Sequence, residues 1–202
     1  MRRALALSML LPSLLASLPA LAGNQAQEQL ADSVRSSMQA SIADRAVPVL
    51  NFRSGAQSAY LWLSEMSRRL EPRIPDRKQR TELLKTVHYE AIRNGLDPQL
   101  VLSLIQVESA FRKYAVSSSG ARGYMQVMPF WTQVFKRPRD NLFNLRTNLR
   151  YGCVILRYYL NLENGDYFRA LGRYNGSVGR PEYPNAVNAA WQGRWKYDGA
   201  TS

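Results

Sequence analysis

Residues 96–111, LDPQLVLSLIQVESAF, carry the reading of this chain. Asp97 is a side-chain acceptor of the kind that begins helices, and Pro98 suits the first helical position. From there the apolar residues Val101, Leu104 and Ile105 recur at helical spacing and define one face. Seven residues after Val101 that face reaches Glu108. A carboxylate on the core side of a helix is harder to ionise, which is what a general acid near neutral pH requires. A structural ion pair with one of the many arginines is the competing explanation.

Helical patterns surround this segment. SAYLWLSEMSRRL (58–70) places Tyr60, Leu63, Met66 and Leu70 on one side, and the Pro-rich EPRIPDR (71–77) ends it. RTELLKTVHYEAIRNG (80–95) has Leu84, Val87, Ala91 and Ile92 in register and stops at Gly95. NLRTNLRYGCVILRYYLNLENG (144–165) aligns Leu145, Leu149, Cys153, Leu156 and Leu160 before Gly165. A helix follows in DYFRALGRYNGS (166–177), and a last one is expected from about Tyr183 to Trp195. SSSGARGYMQVMP (117–129) is too rich in Gly and Ser for a helix and reads as a loop or short hairpin around 116–127. The fold class is mainly α, with at most a minor β element.

The N-terminus has the pattern of an export leader over residues 1–22: Arg2 and Arg3, an apolar stretch, then Ala20-Leu21-Ala22. Residues 23–79 read as an N-terminal helical extension of unassigned role, and residues 80–202 as the main domain. A net charge of +12 favours anionic partners. For an exported chain that means an acidic wall polymer or an anionic lipid surface, and not nucleic acid. The single Cys153 excludes an internal disulfide and suits a small core residue. With one His (His88) and no clustered carboxylates, no metal site is expected, and no nucleophile motif accompanies His88.

Gly120 and Gly123 allow a sharp turn and a close approach of backbone to a ligand, Gln126 offers an amide, and Tyr174-Asn175-Gly176 marks a helix end. Among the aromatics with flat faces suited to sugar rings, Trp191 and Trp195 read as packing residues.

Taken in order, VESAF (107–111), GARGYMQVMP (120–129) and RYNGS (173–177) resemble the soluble lytic transglycosylase family, whose SLT domain has a lysozyme-like fold. The resemblance spans about residues 80–195. It implies cleavage of the MurNAc–GlcNAc β-1,4 bond of peptidoglycan with formation of 1,6-anhydroMurNAc ends, without metal or cofactor, and the leader pattern implies a periplasmic location. By the same resemblance Glu108 is the acid/base and Ser117 orients the substrate. Gly123, Tyr124, Met125, Gln126, Met128 and Asn175 form the sugar site, and Tyr174 hydrogen-bonds Glu108. Tyr124 stands where the family often has Leu, and Arg173 where it often has Ala. The acids after Glu108 (Asp140, Glu163, Asp166, Glu182 and Asp198) all fall outside the three motifs, which fits a mechanism with one carboxylate in place of the usual two. A goose-type hydrolase and a non-catalytic wall-binding or secretion-associated adaptor are the alternatives. The implied partners are glycan strands and, as an open alternative, secretion or wall-synthesis machinery. The chain is expected to act as a monomer with no membrane span after leader removal.

Overall fold

The computed structural model describes residues 30, 32–43, 46–50, 52 and 55–199, so the expected leader over 1–22 lies outside the described residues. Among the described residues there are eight helices: α1 Asp32–Ala43, α2 Ala56–Leu70, α3 Arg77–Arg93, α4 Pro98–Ser109, α5 Phe130–Val134, α6 Leu145–Leu162, α7 Tyr167–Asn175 and α8 Glu182–Gln192. No strand forms among them. The Gly/Ser-rich segment makes only isolated bridges, Val116 to Arg122 and Arg122 to Val127. No described helix is long and apolar enough to cross a membrane.

Side-chain caps fix four helix starts. Asp76, Asp97, Asn144 and Asp166 accept from the backbone N–H of Gln79, Gln99, Thr147 and Arg169. Each cap satisfies an orphan donor and contributes about 1 kcal/mol. The α4 start is doubly used, because the second oxygen of Asp97 accepts from the Trp191 indole at 2.8 Å.

Helix α4 runs through the centre, with residues 98–105 all buried. Three indole and amide bonds fasten its neighbours to it. Trp62 of α2 donates to Gln99 (3.2 Å), Trp191 of α8 to Asp97, and Trp195 to Gln106 (2.9 Å). Trp195 is fully buried against Phe111, beyond the end of α8 at Gln192, so the last helix is shorter than expected.

Two helix faces differ from the sequence reading. On α2 the buried stripe is Ala59, Trp62, Met66 and Leu70, while Tyr60 is 66% exposed. The competing stripes share Met66 and Leu70. Trp62 carries the larger apolar surface and finds a partner for its N–H in Gln99, so that face turns inward. On α3, His88 takes the inward place between Phe52 (stacked, 4.4 Å) and Trp62 (edge-on, 5.3 Å), and Ile92 lies at the border with solvent.

The described part of 23–79 shares one continuous core with the later helices, through Met38, Ile42, Phe52 and Trp62. Its polar fastening is equally direct. Glu90 of α3, fully buried, pairs with Arg93 (2.9 Å), Arg150 (3.3 Å) and Arg146 (3.8 Å). The same guanidiniums reach carbonyls at the end of α1 and beyond it: Arg93 to Ser41, Arg150 to Ile42 (both 3.0 Å) and Arg146 to Ala46. One carboxylate thus holds three cations that complement the negative end of α1. At the other end of the chain, Glu65 orients Arg69, whose guanidinium donates to the carbonyls of Arg194 and Lys196.

Two outcomes follow. Glu90→Gln leaves three guanidiniums without their counter-charge. The expected loss is about 2 kcal/mol in urea unfolding, less than for a fully buried pair because the arginines keep some water. The Glu65 carboxyl is held down to about 2, from 4.5, by hydrogen bonds from Arg68 and then Arg69. A depressed folded-state value stabilises above the unfolded one. Thermal stability should therefore carry a Glu65-dependent contribution that declines below about pH 4.5 and is gone below about pH 2. Glu65→Gln should remove that part of the pH dependence.

Candidate active site

Glu108 lies in the last turn of α4 and is 1% exposed. The helix stops just after it, because Ala110 and Phe111 take the left-handed conformation at φ 49° and 63°. Two such residues in succession without glycine are strained, and the strain sits at the site. A carboxylate in this position is costly, since it is desolvated and lies at the negative end of its helix. The Tyr183 hydroxyl offsets that cost by donating to Oε1 at 2.6 Å.

Tyr183 is the second residue of α8 and is itself buried. Burial pushes its hydroxyl well above the ordinary tyrosine value, and the charge and hydrogen bond of Glu108 push it further. It therefore stays protonated, and stays a donor, across the working pH range of any enzyme. The sequence reading gave a bond to Glu108 to Tyr174, whose buried hydroxyl donates to the carbonyl of Met125 at 2.8 Å. The register of α8 was the available signal, because Tyr183 shares the inward face with Val187 and Ala190.

The 115–127 segment is built against the end of α4. Ser109 Oγ donates to the Tyr124 carbonyl (2.7 Å) and Tyr174 to the next one, so both tie the loop by its backbone. Asn148 of α6 completes the tie. Its Oδ1 accepts from Met125 N (2.8 Å), and its Nδ2 donates to the carbonyls of Arg122 (2.8 Å) and Leu142 (2.9 Å). Gly123, at φ 76°, is required here: a Cβ would lie 2.5 Å from Asn148 Nδ2 and 2.6 Å from the Leu142 carbonyl. Sequence reasoning missed Asn148, whose place on the buried face of α6 beside Leu149 was the only sign.

The residues expected to line the sugar site divide by exposure. Met125 is fully buried and faces Gly152 of α6, where any side chain would collide with its thioether. It supports the loop from beneath, and its side chain cannot touch a ligand. Gln126 is 1% exposed and left-handed (φ 48°), and its Nε2 donates to the carbonyls of Ala115 (3.1 Å) and Gly123 (2.9 Å). That amide nitrogen braces the loop and is not available to bind an acetamido group. Ser117 Oγ accepts from Ala121 N (3.0 Å), closing the hairpin turn. Tyr124 is buried, Met128 is partly buried at the loop exit, and Asn175 closes α7 ahead of left-handed Gly176. Arg173 pairs with Glu163 together with Arg169.

The downstream acids are held elsewhere. Asp140 accepts from Arg137 (2.7 Å) and the Tyr151 hydroxyl (2.9 Å), Asp166 caps α7, Asp198 pairs with Lys196 (3.5 Å), and Glu182 is exposed. Among the described residues no group of three or more His, Cys, Asp or Glu is placed to hold a metal ion.

Comparison with known proteins agrees with this geometry. The model of the family described as "Transglycosylase SLT domain" matches residues 85–191, which contain Glu108, the loop and both tyrosines. Among curated relatives, a "Membrane-bound lytic murein transglycosylase C" of Photorhabdus laumondii is 32% identical over 118 residues, covering 50% of this chain and 33% of the relative. A protein of the same name from Yersinia pestis is 34% identical over 118 residues, with the same coverage. The chain therefore spans about a third of the length of these relatives. No solved structure matches. With more than half of its residues under the family model, and with the three motifs drawn together around one buried glutamate, the chain belongs to the transglycosylase SLT family.

Proposed function

We propose that this protein is a peptidoglycan lytic transglycosylase that cleaves the MurNAc–GlcNAc β-1,4 bond and leaves 1,6-anhydroMurNAc ends. The observation that carries this reading is the buried Glu108 held by Tyr183, with every downstream carboxylate either bound elsewhere or exposed. Ordinary glycosidases place two carboxylates about 5–9.5 Å apart across the scissile bond. A lone carboxylate does the same work if it acts twice.

In the first step Glu108 gives its proton to the glycosidic oxygen, and the C1–O bond breaks. The positive charge developing at C1 is met by the substrate's own acetamido oxygen. Glu108, now charged, is stabilised by the Tyr183 hydroxyl. In the second step it takes the proton of the MurNAc C6 hydroxyl, whose oxygen attacks C1 and closes the anhydro ring. Glu108 ends protonated, as it began, and no water is consumed. Tyr183 bonds the charged form, so it assists the step in which Glu108 must be an anion. In this reading Ser117, Met128 and Asn175 contact the sugar. Gly123, Met125, Gln126, Tyr174 and Asn148 hold the loop that presents them. The names of the membrane-bound murein relatives and the leader-like N-terminus support an extracytoplasmic, periplasmic place of action.

The goose-type hydrolase is the second reading, because the same acid could serve a water nucleophile. Mass spectrometry of digested sacculi separates the two. Anhydro ends are expected, and reducing ends alone would sink the transglycosylase reading. Glu108→Gln should lower turnover at least ~100-fold while glycan binding is retained. If it digests murein like the wild type, Glu108 is structural. Tyr183→Phe keeps the ring and removes the donor. It should lower kcat about tenfold or more and move the basic limb of the pH–rate profile upward, because the charged form of Glu108 loses a stabilising bond.

A further inference from the structure

A second groove, of about 720 Å³, abuts the same loop. It lies between the first turns of α3, the 111–114 segment and Tyr124, and it shares neither Glu108, Tyr183 nor Gln126 with the site above. Three exposed cations stand around it: Arg73, Arg112 and Lys113. Of its two carboxylates, Asp76 caps α3 through Gln79 N. Glu82 is exposed and turned toward the groove, close enough to Tyr124 for its charge to add to the effect of burial in raising that hydroxyl's pKa. Three aromatic rings line it, Phe111 and Tyr124 buried and Tyr114 70% exposed, with Lys113 Nζ 5.3 Å from the Tyr114 ring centre.

Gln79 and the two tyrosines offer polar partners, but the lining carries three exposed cations against two carboxylates, one of which caps α3, and so favours a ligand that bears carboxylates. The complement is a short extended ligand with more than one carboxylate and a single amine. A flat lipid surface would meet the exposed cations but would leave the concave volume and the buried Tyr124 unused. Resting on the peptidoglycan reading of the previous section, we propose that this groove binds the peptide stem of the glycan strand, with Arg73, Arg112 and Lys113 on its carboxylates and Glu82 on its amine. Tyr124 then serves two ends at once. Its carbonyl ties the loop to Ser109 beside Glu108, and its ring lines the peptide groove. Tyr124 stands where the family often has leucine.

The test uses the full chain carrying Glu108→Gln, so that nothing is turned over, and the peptide N-acetyl-L-Ala–γ-D-Glu–diaminopimelate–D-Ala as probe, in which the diaminopimelate amine is the one free amine. Calorimetric titration should show binding that weakens with salt. Arg73→Glu with Lys113→Glu, both at exposed positions, should weaken it at least ~10-fold through charge reversal. Glu82→Gln should weaken binding of this peptide and leave unchanged that of a peptide whose diaminopimelate amine is acetylated. Equal affinity in the double variant and its parent overturns the proposal. So does binding to phosphatidylglycerol vesicles that the double variant loses while the peptide shows none, since the cations then serve a lipid surface. Failure of the two readings is distinguishable. Peptide binding with the expected dependence but no murein cleavage by the wild type removes the enzymatic reading alone, and cleavage without peptide binding removes the groove alone.

Discussion

The hydrogen bond from Tyr183 to Glu108 is the constraint around which the rest is arranged. A glutamate placed in the core at the negative end of its own helix is tolerated only with a partner that stays protonated. Tyr183 meets that condition because it is buried as well. Keeping the pair together fixes α8 against α4, and the indoles of Trp191 and Trp195 secure that packing at both ends of α4. The left-handed pair Ala110-Phe111 then ends α4 where the carboxylate must meet a ligand. Strain and desolvation fall at one place, as they do where chemistry requires a group that the core alone would reject.

The loop beside Glu108 has almost no sheet ladder to stabilise it, so side chains from three helices replace one. Ser109, Tyr174 and Asn148 each bond its backbone, and Gly123 and Gly152 are small so that loop and α6 can approach. This explains why several motif residues are buried. Met125 and Gln126 hold the backbone in one conformation, and the groups that face solvent are positioned through it.

The helices were legible in the sequence wherever a period and a cap coincided. Asp97-Pro98 and the apolar stripe after it place Glu108 correctly, and Asn144 and Asp166 begin α6 and α7 as expected. On α2 the period allowed two overlapping stripes, and the hydrogen bond of a tryptophan to a residue 37 positions away decided between them. The bond from Tyr183 to Glu108 has the same origin, because it joins residues 75 positions apart and no local pattern marks it. Asn148 was invisible because a single polar residue on an otherwise ordinary helix face carries no local sign of a loop 23 residues away.

The fastening of α1 bears on how this fold can be inherited. The family match begins at residue 85, yet Arg93 and His88 inside it find partners at Ser41 and Phe52, and the guanidiniums of Arg146 and Arg150 reach Ala46 and Ile42. Residues 85–191 grafted alone into another polypeptide would carry a half-filled polar cluster and an uncovered aromatic face. The unit that recombination can move intact is therefore larger than the unit that sequence similarity outlines, and a host would have to supply a helix in place of α1.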